Sequence, residues 1–458
     1  MKTSLLSRRQ FVRGVASAGA AIPFVLNSSL RAVSANRKLG HACIGVGGMG
    51  WGDLENFLSH PRVEIVALCD VDANHLQNAA KKIPDARIYS DWRELLEKEG
   101  DKLDSLNVSV PDHMHFPIAL AAIQRGKHVY CQKPMCHDVA EVRALTEASI
   151  RKKVITQLGT QLASGIGDRT AVHLLKAGVI GKVKQAYLCS NRPGAIENYR
   201  LKGPRPSQGQ PPPENLNWDL WIGNAPTRPY APEIYHPAKW RAWLDFGTGW
   251  SGDIGCHVFD AVWKGLAMEP PKSVTAEVQQ SWKESPERRA DTWPQGDHIT
   301  WVFPGNELTG AKEWTLEWFD GEFYLPKEIR ELFSSDLTKY PAESAMVVGT
   351  EGALLNALGQ PPLLLPQERF KDYPRPKLEN RNHYHHFVDA CLGQTKTESH
   401  FAQTGPMTEA ILLGTVAIRM PGQKLDWDAV KMKFPNFPEA ERYLRRNYRD
   451  GWKAPQQT

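Results

Sequence analysis

The sequence predicts an α/β protein of two domains: an N-terminal doubly wound parallel sheet, then an α+β domain built on a large, mainly antiparallel open sheet. Three observations predict it. From Lys38, apolar runs alternate with helical stretches of about 10–15 residues, the pattern of a parallel sheet covered on both faces. A glycine turn, GVGGMG (Gly45–Gly50), stands between the first run and the first helix. Beyond about residue 158, strand-like segments follow one another at the intervals of an antiparallel sheet. The expected divisions are a leader over 1–35, the parallel-sheet domain over 36–157, the α+β domain over 158–430 and a polar, frayed tail over 431–458.

The leader differs in kind from the rest. SLLSRRQFV carries adjacent Arg8 and Arg9, GVASAGAAIPFVL is weakly apolar, and AVSA ends in small residues near Ala35. This is the pattern of a twin-arginine export signal, which implies a periplasmic or exported protein. The apolar part spans 13 residues, short of the roughly 20 that a spanning helix needs, so no stable membrane insertion is expected after cleavage. Cleavage removes Lys2, Arg8, Arg9, Arg13 and Arg31 and no acid, which takes the formal charge of +5 to about zero. Charge then gives no argument for a nucleic-acid partner. Seven cysteines without a CxxC pair lie mostly in apolar runs such as VALCD and HVYC, so buried thiols are expected rather than disulfides or metal ligands.

Along the first domain the expected strands are HACIGV, VEIVALCD, LDSLNVSV, KHVYC and VITQLGT, with helices through HLQNAAKKI, FPIALAAIQRG and VAEVRALTEASIRKK between them. GDRTAVHLLKAGVIG reads as a helix stopped by glycine. A Pro/Gly-rich loop follows, and nine of the 15 tryptophans fall between 218 and 301. Strands are expected at KSVTAEVQQSW, HITWVFP, EWTLEWF, SAMVVGT and ALLNAL, and helices at HYHHFVDACLG and MTEAILLGTVAIRM.

GVGGMG fits GxGxxG between strand and helix, where glycine permits a tight turn and lets backbone approach a pyrophosphate at a helix N-terminus. Gly45, Gly47, Gly48, Met49 and Gly50 are thus candidate cofactor contacts. Asp70 ends the next apolar run 20 residues after Gly50. An acid there accepts hydrogen bonds from ribose hydroxyls and repels a 2′-phosphate, favouring NAD over NADP. Asp72 competes for the same role.

VPDHMH (110–115), AIQRGKHVYCQKP (122–134), GDIGCHVFD (252–260) and the late TEAILLGTVAIR together resemble the glucose-fructose oxidoreductase, inositol dehydrogenase and MocA family, over most of residues 38–430. The resemblance implies a Rossmann domain that binds NAD, with Pro111, His115, Gln132 and Lys133 beside the cofactor. It also implies a catalytic set of Lys133, Asp253 and His257. The chemistry is coherent by itself: oxidising a secondary alcohol requires removing its hydroxyl proton, which a histidine can accept while a lysine stabilises the alkoxide. Asp253 and His257 share a helix face if GDIGCHVFD is helical. Bland alternatives stay open: a strand-end lysine, a core histidine, or Asp253, His257 and Asp260 around a metal, although no metal is expected. Gln132 departs from the pattern that the resemblance implies, which usually has glutamate before the lysine.

Asn191 and Arg192 of SNRPG, with Trp240, Arg241 and Trp243 of HPAKWRAW, are candidate substrate contacts, since such side chains hold hydroxyls and stack on sugar rings. Core packing competes for the tryptophans and salt bridges for the arginines. The expected function is NAD-dependent oxidoreduction of a sugar, polyol or glycoside hydroxyl with a tightly held cofactor. Alternatives are glycoside cleavage through transient C3 oxidation and elimination, and noncatalytic sugar binding. A homo-oligomer through the second sheet is expected.

Overall fold

The computed structural model describes residues 37–192 and 204–452, so the expected leader lies outside the described residues. The first sheet joins β1 (Leu39–Ile44), β2 (Val63–Cys69), β3 (Arg87–Tyr89), β4 (Ser105–Val108), β5 (His128–Cys131) and β6 (Thr156–Leu158). Its order is β3-β2-β1-β4-β5-β6 with every pairing parallel. The strand order reverses between β1 and β4, which opens the crevice in which such sheets bind ligands. Among the longer helices, α1 (Met49–Leu58), α2 (Ala73–Lys82), α3 (Trp92–Glu99), α4 (His115–Gln124) and α5 (Val139–Lys152) are the crossovers, and α6 (Ile166–Lys176) leads into the second domain. α4 is buried over its first nine residues, which is why it reads as continuously apolar.

The second sheet contains β7 (Val183–Ser190), β8 (Ser273–Val278), β9 (Asp297–Pro304), β10 (Glu313–Asp320), β11 (Glu343–Gly349), β12 (Ala353–Ala357), β13 (Leu363–Leu365) and β14 (Leu425–Asp426). Its order is β13-β12-β11-β7-β10-β9-β8-β14, antiparallel except where β7 lies parallel to β10. β9 alternates buried and half-buried positions along its length, so Ile299, Trp301 and Phe303 face the core. Full burial of a Phe-sized side chain contributes about 2–3 kcal/mol.

Helix α7 (Gly249–Gly265) packs across β7, β10 and β11 and against α6. The last long helices, α8 (His383–Cys391) and α9 (Phe401–Arg419), return to the first domain and pack on α1 and α5. The two domains are therefore knitted together by the C-terminal third of the chain.

The described end of the chain is not a frayed tail. Phe434, Ala440 and Leu444 are buried, and the Arg446 guanidinium donates to Glu141 at 2.9 Å and to the His113 carbonyl at 2.6 Å. Tyr448 also donates to Glu141, at 2.6 Å. Spaced apolar residues within a polar stretch supply the anchor that composition alone conceals. All seven cysteines are buried free thiols.

Candidate active site

The turn after β1 is shaped by its glycines. Gly45 and Gly48 have φ of 83° and 52°, the left-handed region open to glycine. A Cβ on Gly50 would lie 2.2 Å from the Gly45 carbonyl oxygen, whereas one on Gly48 would meet no protein atom within 4 Å. No side chain caps the start of α1, and Met49 on its first turn is exposed. Open space over a bare helix N-terminus fits a pyrophosphate.

Asp70 and Asp72 divide the roles that the sequence left in competition. Asp70 accepts the Val46 and Asp72 amide protons at 2.8 and 2.9 Å and borders a cavity of about 290 Å³, together with Leu76, Ser90 and Asn215. Asp72 caps α2 through Asn74 and is bonded to Asn215 at 2.8 Å and His236 at 3.0 Å. Burial pulls its carboxyl up, but Asn215, His236 and Asn74 outweigh this and hold it below the usual range. Asp72 thus clasps the second domain to the first, and Asp70 is left facing the cavity. The cradle and this acid fit an adenine dinucleotide.

Opposite the turn, β5 ends at Cys131 and the chain enters Gln132 and Lys133. The Lys133 ammonium donates to Asp253 Oδ1 at 2.5 Å and to the Asp253 carbonyl at 3.1 Å. Asp253 Oδ2 lies 3.2 Å from Arg241 Nε, and the guanidinium stacks over Trp240 with 4.2 Å to the ring centre. One turn further along α7, His257 Nδ1 is buried with no hydrogen-bond partner among the described residues. Burial and then the positive charge of Lys133 push the imidazole down to about 3, against the opposing charge of Asp253. The imidazole is therefore neutral. The structure brings Lys133, Asp253, His257 and Arg241 together from both domains.

The other expected contacts take varied positions. His115 is buried, with Nδ1 2.7 Å from the Pro134 carbonyl and Nε2 2.8 Å from the Val110 carbonyl, so it braces two loops instead of facing a cofactor. Pro111 starts the short helix after β4 at the crevice rim. The Gln132 carboxamide turns to Asp53 on α1. Asn191 donates its amide to the Gly321 and Phe323 carbonyls, bracketing two loops. Arg192 lies 3.6 Å from Glu343 and over Trp250. Trp240 and Trp243 are buried, and the Trp243 indole donates to the Ile234 carbonyl, which makes both core residues. Asp260 pairs with Lys264 at 2.7 Å, so it does not converge with Asp253 and His257 on an ion.

Sequence reasoning missed Asp112 and Asp53. Asp112 accepts from Thr248 Oγ1 at 3.2 Å, and burial followed by the charge of Asp253 pushes it up to about 7. It lies inside the quoted VPDHMH stretch, but no spacing distinguishes an acid that only folding sets beside Asp253.

Residues 39–160 match the family model described as the oxidoreductase family's NAD-binding Rossmann fold, and residues 169–301 match its C-terminal alpha/beta domain. The chain belongs to the Gfo/Idh/MocA oxidoreductase family. It is similar to a "Glycosyl hydrolase family 109 protein" of Streptomyces filamentosus, 28% identical over 174 residues, covering 36% of this chain and 33% of that protein. The chain spans about a third of the length of the curated relatives it matches. Its fold is similar to the WlbA dehydrogenase of Bordetella pertussis in complex with NADH and UDP-GlcNAcA, with TM-score 0.57, 15% identity, and 86% of this chain and 99% of that one covered. It is also similar to the aldose-aldose oxidoreductase of Caulobacter crescentus complexed with glycerol, with TM-score 0.55, 16% identity, and 85% and 100% covered. The Gfo/Idh/MocA fold thus accounts for both sheets.

Proposed function

We propose that the protein is an NAD-dependent oxidoreductase acting on a CH–OH carbon of a sugar, polyol or glycoside. The observation that carries this reading is the Lys133–Asp253 contact, which joins the loop after β5 of the first domain to α7 beside an unpartnered histidine nitrogen. Bound NAD supplies an acceptor for the substrate's hydride and can return it. Lys133 has three N–H donors, and Asp253 takes two of them. The third is available to a substrate oxygen, where the ammonium stabilises developing alkoxide charge. The neutral His257 is the candidate acceptor of the hydroxyl proton, with Asp253 on the preceding turn opposing the burial and the Lys133 charge that disfavour its imidazolium. Arg241 holds the second oxygen of Asp253 and so keeps the carboxylate oriented towards the lysine. Asp70 selects NAD over NADP by facing the ribose with a negative charge.

A second reading is favoured by the similarity to the family 109 glycosyl hydrolase of Streptomyces filamentosus. Oxidation at C3 acidifies the C2 proton, elimination breaks the C1–oxygen bond, water adds, and C3 is reduced again, so the cycle is redox-neutral. Export through a route that carries folded proteins, read from Arg8 and Arg9, supports either reading with a cofactor that stays bound through each cycle. Incubating the purified protein with candidate glycosides and aldoses in deuterium oxide separates them. Deuterium at C2 of a hydrolysed product supports elimination, and a keto-sugar released without cleavage supports oxidoreduction. Neither product from any carbohydrate would refute both.

A further inference from the structure

Asp53 lies on α1, just past the glycine turn, and is 0% exposed; Gln132, which precedes Lys133, is 5% exposed. Gln132 Nε2 stands 2.9 Å from each Asp53 carboxylate oxygen. Ser109 Oγ donates to the same carboxylate at 2.6 Å and the Tyr384 hydroxyl at 2.7 Å. Both hydroxyls are themselves supplied with a proton, Ser109 by Asn107 Nδ2 at 2.7 Å and Tyr384 by Gln161 Nε2 at 3.1 Å. Their own protons are thereby turned towards Asp53. A shell composed of donors is the environment of an ionised carboxylate. Burial raises the Asp53 carboxyl above its usual value, and Ser109, Tyr384 and Gln132 offset that rise only in part.

The orientation of the Gln132 amide has independent support. Its Oε1 accepts the Lys133 backbone N–H at 3.3 Å, which leaves the NH₂ group for Asp53. Space for the side chain comes from Gly159, where a Cβ would lie 2.5 Å from Oε1. The glutamine therefore links a buried anion on the cofactor helix to the backbone that carries Lys133.

We propose that Asp53 is a positioning residue for Lys133, acting through Gln132, and that residue 132 is a neutral amide because it faces this carboxylate. A glutamate at 132 would oppose two carboxylates across one hydrogen-bond distance. The amide at position 132 and the carboxylate at position 53 are then a matched pair. The proposal rests on Lys133 belonging to the reacting site.

The test compares Gln132→Glu, Asp53→Asn, the double variant and Lys133→Ala as holoenzymes, using the nitrophenyl glycoside or aldose that wild type turns over fastest. Gln132→Glu should lower kcat roughly 100-fold with KM within about threefold, and Asp53→Asn should lower kcat roughly tenfold. The double variant should recover to within about tenfold of wild type, since the amide introduced at position 53 can donate to the carboxylate introduced at position 132. A double variant no better than Gln132→Glu, or a Gln132→Glu variant with wild-type kcat, overturns the proposal. If Gln132→Glu does not fold, the thermal midpoint of the double variant decides: recovery supports the pair and failure to fold overturns it. Full turnover by Lys133→Ala would refute the reacting-site assignment, while the thermal-midpoint cycle would still report the Asp53–Gln132 coupling.

Discussion

Lys133, at the end of the first sheet, and Asp253, on α7 of the second domain, meet at 2.5 Å, and both are largely withdrawn from water. An ion pair at this depth contributes little net stability. Its value is geometric, because it fixes where one domain presents an ammonium to the helix bearing His257.

Replacing Lys133 with methionine should keep the stem packed and remove the charge. Turnover is expected to fall by about 10²–10⁴-fold with the fold intact, as for loss of a group that stabilises developing charge. Steady-state kinetics alongside circular dichroism checks this. Turnover within threefold or so of wild type would remove Lys133 from the site.

Asp253→Asn leaves Lys133 and Arg241 facing one another without their shared anion. Breaking a buried pair from one side costs roughly 3–5 kcal/mol. Urea unfolding should resolve the loss, and a smaller cost would mean that solvent reaches the pair.

Glycine substitutions should separate fold from cofactor. Gly48→Ala meets no protein atom but is left at φ 52°, a strain of about 1–2 kcal/mol, and its methyl group projects into the space over α1. Bound NAD, measured as nucleotide released on denaturation, should drop while the protein stays folded. Gly50→Ala meets the Gly45 carbonyl and should lower the thermal midpoint as well.

Asp112 gives a pH dependence of opposite sign to that of a salt-bridged carboxylate. Its folded value, about 7, lies above the ordinary 3.8, so the folded state holds a proton that the unfolded chain releases. Its contribution is fully present below the unfolded value and is lost as pH rises through the folded one, by roughly 1.4 kcal/mol per pH unit between them. Asp112→Asn should therefore gain stability relative to wild type as pH rises from 4 to about 7. Chemical unfolding at several pH values checks this, and parallel curves would contradict it.

How far the sequence carried the fold depends on where each signal lay. Strands such as VEIVALC and the GVGGMG turn were legible because hydrophobic period and backbone freedom are local properties. That Lys133, Asp253 and His257 lie together was legible from motif order. Asn191 and His115 were misread because their polar atoms face backbone carbonyls brought near only by the tertiary fold, and Trp243 took the core-packing alternative that the sequence left open. Asp53 and Asp112 were invisible for the same reason: an isolated acid carries no period. The end of the chain looked polar because Arg446 and Tyr448 count as polar residues until Glu141 is set beneath them.

The central claim, that the Lys133–His257 site carries out hydride chemistry with resident NAD, is tested most directly by rapid mixing. Holoenzyme would be mixed with its carbohydrate substrate, with and without deuterium on the reacting carbon, while the near-ultraviolet absorbance of reduced nicotinamide is followed. The expected result is a transient reduction in wild type that deuterium slows and that Lys133→Met abolishes. Turnover of the carbohydrate without any reduced nicotinamide, or with a transient that Lys133→Met leaves unchanged, would contradict it.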